Sequence, residues 1–360
     1  VYTNQGAMKW QDGSDIKISH VCYNTVSNVK LSDNVIFVGA PVNRVFQMSF
    51  DRYTMYRNVE MSNNRITYSD WAFDTESGQN AQLADFGAEY GMVTQDVEGL
   101  IADSGDDTFC SEPIRIAGNV VVSNHKGLTD EMHACVDASG VNVQFIGNSI
   151  KCAVGDLGDG ETAYARQGLT LLQSLNLSTK FFLKENVCQG LKAIATLKPQ
   201  VIKDKEGKFV RQRKGIFADI VADENVFQGD TRIFVPRGDS GGNNLSRSVV
   251  SFKHNEILSD YSLLFLQGFA DKGAALFSEN YVERLTDRVN EDTITGFIYY
   301  DDKEAGEKDC PIRFVVENNV FSNITQNEDK LSYSNVFRYI NCYDNIKLKR
   351  KGNCFENLCD

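Results

Sequence analysis

At 360 residues, 42% of them hydrophobic, the chain has ample material for a large core. Its formal net charge of −12 weighs against nucleic acid as a partner, because phosphate binding needs a basic face. No run of about 18 apolar residues occurs, so no transmembrane helix is expected, and no secretory leader is visible in a sequence that opens on Val1.

Residues 1–114 hold two stretches that look like units of a repeat, DIKISHVCYNTVSN at 15–28 and VEMSNNRITYS at 59–69, with no clear register. From residue 115 to 360 the pattern becomes regular, and the whole reads as one continuous domain, a mature form or a piece of a longer chain. Asparagines stand at 148, 186, 225, 255, 280, 319 and 353, separated by 38, 39, 30, 25, 39 and 34 residues. Two residues after them come Ile150, Cys188, Phe227, Ile257, Val282, Phe321 and Phe355, all apolar. Five before come Val143, Phe181, Ile220, Val250, Ala275, Phe314 and Leu348. Three before come Phe145, Leu183, Ala222, Phe252, Phe277 and Val316, and only Arg350 breaks that row. Apolar residues two apart have the period of a strand and not of a helix. Each asparagine therefore marks a bend between two short strands.

A third strand-like segment closes each unit: LTLLQSL (169–175), LKAIATLK (191–198), TRIFVPR (231–237), SLLFLQGF (262–269), ITGFIYY (294–300) and NVFRYI (335–340). One such unit per coil, with loops of varying length, stacks into a solenoid. Stacked coils let each asparagine bond the asparagines above and below and the backbone of the bend. A tight corner also needs a left-handed residue, and asparagine tolerates that conformation.

The seven asparagines and their apolar neighbours resemble the right-handed parallel β-helix of the pectate-lyase-like superfamily, whose coils have three short strands and often an internal asparagine stack. The fold expectation is thus all-β: a right-handed parallel β-helix with an asparagine ladder. That fold hosts lyases, hydrolases, adhesins and phage tailspikes, so activity must be argued from a site. The resemblance implies that a polysaccharide lies in the groove beside the third strands. The tailspike form implies a homotrimer, with the protein extracellular or on a virion surface.

Candidate site residues follow from that placement. Strand alternation turns Lys192 and Lys198 outward and Ala193, Ala195 and Leu197 inward. Arg232 starts the next third strand, and Arg237 and Asp239 end it. Between these strands lies a basic segment, KDKEGKFVRQRK at 203–214, a cationic wall suited to an anionic glycan. Elimination on a uronate chain needs a cation for the carboxylate and a base for the C5 proton, roles open to Lys192 and Arg232. Hydrolysis needs paired carboxylates, for which Asp239, Asp271, Asp301 and Asp302 stand at strand ends. Tyr299 and Tyr300 offer faces for sugar stacking, with Lys198 and Arg237 as further substrate contacts. A non-catalytic fibre or adhesin that binds cell-surface glycan is the alternative reading.

Two acidic, glycine-rich loops could hold Ca²⁺: GDLGDGE (Asp156, Asp159, Glu161) and DSGDD (Asp103, Asp106, Asp107). GDSGG at 238–242 resembles the nucleophile loop of chymotrypsin-like serine proteases, with Ser240 in the nucleophile's position. Its nearest partner motif, HVC at 20–22, lies far upstream, and a glycine-rich turn is the better reading. Nine cysteines form no CxxC pair and read as buried thiols, Cys152 and Cys188 among them. His254, just before Asn255, is expected to face solvent, whereas His125 and His133 lack a third ligand.

Overall fold

The computed structural model describes residues 24–39, 44–47, 54–68, 82–87, 112–123, 134–139, 142–152, 169–175, 179–198, 201–203, 209–212, 218–229, 233–234, 249–259, 264–267, 274–284, 298–301, 312–322, 337–340 and 346–356. All the regular structure among them is strand. Two long parallel sheets run through ten coils. The first holds Asn24–Ser32, Thr54–Ser62, Ile114–Ala117, Val143–Ile146, Thr179–Lys184, Ala218–Asp223, Val249–Lys253, Ala274–Ser278, Ile312–Glu317 and Ile346–Lys351. In each coil two residues separate it from a strand of the second sheet, which runs from Val35–Val38 to Cys354–Glu356. The protein is a parallel β-helix.

A third face completes the coils. Arg44–Gln47, Gln82–Gly87, Ala134–Ser139, Leu169–Leu175, the far part of Val187–Lys198 and Ile233–Phe234 pair in parallel along it. Leu264–Gln267, Ile298–Asp301 and Phe337–Ile340 form a separate three-stranded parallel sheet. In one coil the second and third strands are fused: Val187–Lys198 runs without a break, with a register shift between Gln189 and Leu191. Gly190, at φ +76, allows that irregularity, since a Cβ there would strike the Cys152 carbonyl.

The ladder is longer than the sequence pattern indicated. Among the described residues it starts at Asn34 and passes through Asn64 and Asn119 before reaching Asn148. Each central amide is fully satisfied. Asn225 Nδ2 donates to Asn255 Oδ1 at 2.9 Å and to the Leu183 carbonyl of the preceding coil at 3.0 Å. Its Oδ1 accepts from the backbone N–H of Asn186 at 3.0 Å and from Asn186 Nδ2 at 2.8 Å. The same set recurs at Asn119, Asn148, Asn186, Asn255, Asn280 and Asn319, all buried. Burial of an amide is tolerated because no bonding group is left over.

The left-handed residue is not the ladder asparagine, as expected, but the residue before it. Asp33, Asn63, Glu185, Glu224, His254, Glu279 and Asn318 have φ between +54 and +60, and Gly118, Gly147 and Gly352 complete the row. The division has a physical reason. The ladder position must aim its amide inward along the stack, so the turn of the chain falls on its outward neighbour. Glutamate and histidine there carry a strain of about 1–2 kcal/mol each.

The core fills the space between the sheets. From Asn64 to Asn319 the columns five and three residues before each asparagine, and two after, are buried: Val59, Met61 and Ile66 in one coil, Ile220, Ala222 and Phe227 in another. Phe252 stacks on Phe277 one coil on, with ring centroids 5.4 Å apart and planes 11° apart, a geometry favourable to aromatic pairs.

Candidate glycan-binding face

On the third face, Lys192 and Lys198 lie in Val187–Lys198, with Lys198 opposite Leu175 and Ala195 between Leu172 and Ile233. Ala193 and Ala195 are buried, as alternation requires. Ile194 between them is also buried, and so are both Leu171 and Leu172. Neighbours in a strand point to opposite faces of a sheet. The third face is therefore covered on its outer side at these two rungs, and the position between Lys192 and Lys198 is not open groove.

The three-stranded sheet further along brings other predicted residues into register. Tyr299 stands between Phe265 and Arg338, Tyr300 between Leu266 and Tyr339, and Asp301 between Gln267 and Ile340. Arg338 and Tyr339 were not among the candidates from sequence. Their segment reads plainly as a third strand, but only the pairing shows that it adjoins Tyr299 and Tyr300. Arg232, Arg237, Asp239, Asp271, Asp302, Ser240, the acidic loops with Asp156, Asp159 and Glu161 and with Asp103, Asp106 and Asp107, and His20, His125 and His133 lie outside the described residues. Among the described residues, no three His, Cys, Asp or Glu side chains converge as a metal site.

Part of the basic segment forms a ribbon. Val201–Lys203 pairs antiparallel with Phe209–Gln212, placing Val201 opposite Gln212 and Ile202 opposite Arg211. This hairpin leaves the coil three residues after Lys198, at the end of a third-face strand.

The corner carries a charged row that sequence reading touched only at His254. Lys184 Nζ lies 3.4 Å from Glu185 and 3.3 Å from Glu224. His254 bridges two other coils, with Nδ1 3.0 Å from Asp223 and Nε2 3.1 Å from Glu279. Its hydrogen bond to Asp223, and secondarily that to Glu279, raises its pKa above the ordinary histidine value. Lys253 lies 3.8 Å from Glu279. The signal was in the sequence: Glu185, Glu224, His254 and Glu279 each precede a ladder asparagine.

Cys152 and Cys188 are buried thiols, as expected, while Cys354 is exposed. Burial pushes the Cys152 thiol up to about 12 and raises Cys188 as well, so neither is a ready nucleophile. No helix among the described residues is long and apolar enough to cross a membrane. No family model matches the chain, and no curated protein matches it.

Proposed function

We propose that the protein binds an extended polysaccharide along its third face and cleaves it there. The observation that carries this reading is the register of the three-stranded sheet, where Tyr299, Tyr300 and Asp301 adjoin Arg338 and Tyr339. Parallel strands repeat about every 4.8 Å, close to the length of one sugar ring, so successive rungs can meet successive residues of a chain. Aromatic faces, a guanidinium and a carboxylate are the groups that such a site uses. The basic ribbon after Lys198 adds cations for a uronate substrate. With a cation and a base on the uncovered part of that face the reaction is elimination. With Asp301 paired to Asp239 or Asp271 it is hydrolysis. Such a substrate implies work outside the cell or on a virion surface.

The test is incubation with neutral and acidic polysaccharides. Absorbance from unsaturated uronate ends marks a lyase, and new reducing ends without it mark a hydrolase. Asp301→Asn and Tyr299→Ala should lower turnover or affinity while leaving the fold intact. The unbroken ten-coil ladder favours a second reading, a rigid fibre that binds glycan without cutting it. Retention of glycan without cleavage would select that reading. Neither retention nor cleavage on any polymer would sink both.

A further inference from the structure

A second surface lies on the first sheet, away from the third face. The strand Ile346–Lys351 reads IKLKRK. Lys347 stands opposite Arg313, Lys349 opposite Val315, and Lys351 opposite Glu317. Phe314 and Val316 are buried in the core, so Arg313, Val315 and Glu317 belong to the outward row of their strand. Arg313, Lys347, Lys349, Arg350 and Lys351 are all exposed. Arg350 pairs with the inward Val316, so the outward row holds four cations, Arg313, Lys347, Lys349 and Lys351, beside one carboxylate, in a chain whose net charge is −12. Lys349 Nζ lies 2.6 Å from Glu317. Lys349, then Lys351 and Arg313, hold the Glu317 carboxyl below its ordinary range, so all three cations reach the same small area.

We infer that this strip binds a linear anionic polysaccharide. Alternate residues of a strand stand about 6.7 Å apart and adjacent strands about 4.8 Å apart. Lys347, Lys349 and Lys351 therefore form a straight row of cations with Arg313 beside it, a match for regularly spaced uronate or sulfate groups on a narrow, flexible chain. Lysines on a strand can also serve to discourage edge pairing, but that role does not call for Arg313 in the strand before. Nucleic acid fits less well. None of the six outward residues, Arg313, Val315, Glu317, Lys347, Lys349 and Lys351, is aromatic, so bases find nothing to stack on. Asp223, Glu224 and Glu279 also line the corner of the same sheet a few coils away, where a duplex would meet repulsion.

The inference does not rest on the third-face reading, and its variants touch none of those residues. The experiment measures binding of the whole chain to polygalacturonate, dextran sulfate, uncharged dextran and single-stranded poly-dT at several salt concentrations. Both anionic glycans or either one should bind, more weakly as salt rises, and dextran should not. Which of the two binds tells a carboxylate from a sulfate preference. The triple variant K347E/K349E/K351E should bind roughly tenfold more weakly or worse, because three modest exposed contacts multiply. K347R/K349R/K351R should bind as the parent does. Should the charge reversal fail to fold, K347Q/K351Q must still weaken binding and flatten the salt dependence. Unchanged affinity in the folded variants, equal binding to dextran, or binding to poly-dT alone would overturn the proposal.

Discussion

Replacing Asn225 by alanine tests the central claim about the fold, that the ladder is a structural spine whose amides are fully bonded. The side chain makes four bonds to other coils, and the substitution removes all of them. Two groups are then left without a partner, the Asn186 backbone N–H and one Asn186 Nδ2 hydrogen, while the Leu183 carbonyl stays within its parallel strand pair. Asn255 Oδ1 keeps one donor, the backbone N–H of residue 225. An orphaned buried polar group costs about 1–3 kcal/mol. Allowing for partial relaxation, the loss should be about 2–4 kcal/mol. Asn34→Ala is the internal control. It sits at the first described coil, is only partly buried, and its removal leaves Asn64 Oδ1 with a backbone donor. It should cost about 1 kcal/mol or less. Urea unfolding followed by far-ultraviolet circular dichroism measures both. Equal losses for the two variants, or a loss below about 1 kcal/mol for Asn225→Ala, would refute the reasoning.

Two further outcomes follow from the corners and the charged row. Gly147→Ala and Gly190→Ala both place a side chain at positive φ, but open space surrounds the first site while the Cys152 carbonyl blocks the second. Melting curves should show a loss of about 1–2 kcal/mol for Gly147→Ala and about 3–5 kcal/mol for Gly190→Ala; the reverse order would contradict the fused strand. His254 has a folded pKa above its unfolded value of 6.5, so its contribution is fully present below pH 6.5 and fades as pH rises through the folded pKa. The stability difference between the parent and His254→Gln should therefore shrink from pH 5.5 to pH 8.5, and salt should reduce it at the acid end. A difference that grows with pH would contradict the bridge to Asp223 and Glu279.

The architecture was legible because the ladder coil has a local signature. An amide with apolar residues at −5, −3 and +2 can arise only where two strands meet at a bend over a shared core. Asn34, Asn64 and Asn119 carry the same neighbours, Val29, Leu31 and Ile36 in the first case and Ile114, Ile116 and Val121 in the last. They escape a search by period because 55 residues separate Asn64 from Asn119, whereas 25 separate Asn255 from Asn280. Loop closure becomes only slowly costlier with length, so the fold tolerates that spread and the sequence loses its regularity. The third face was harder for the same reason. Length variation falls there, and TRIFVPR yields only Ile233–Phe234 as strand among the described residues. Burial of Leu171 and Ile194 could not be foreseen, because a strand covered on both faces loses the alternation that reveals it. The left-handed corner residue was assigned one place late, because asparagine's tolerance of that conformation drew attention from the glutamates beside it.

The ladder also has a direction. From Asn64 to Asn353 each Oδ1 accepts from the coil before it, and from Asn34 to Asn319 each Nδ2 offers one hydrogen to the coil after it. Backbone bonds between parallel strands run both ways and carry no such bias. The amides instead line up like the peptide units of a helix, each polarising the next in the same sense. A cut between any two coils would leave an oxygen on one side and two N–H donors on the other, as between Asn255 and Asn225. Stacks meeting like end to like end would set donors against donors or oxygens against oxygens. Only head-to-tail continuation keeps the row paired, so the asparagines give the solenoid a polarity as well as a register.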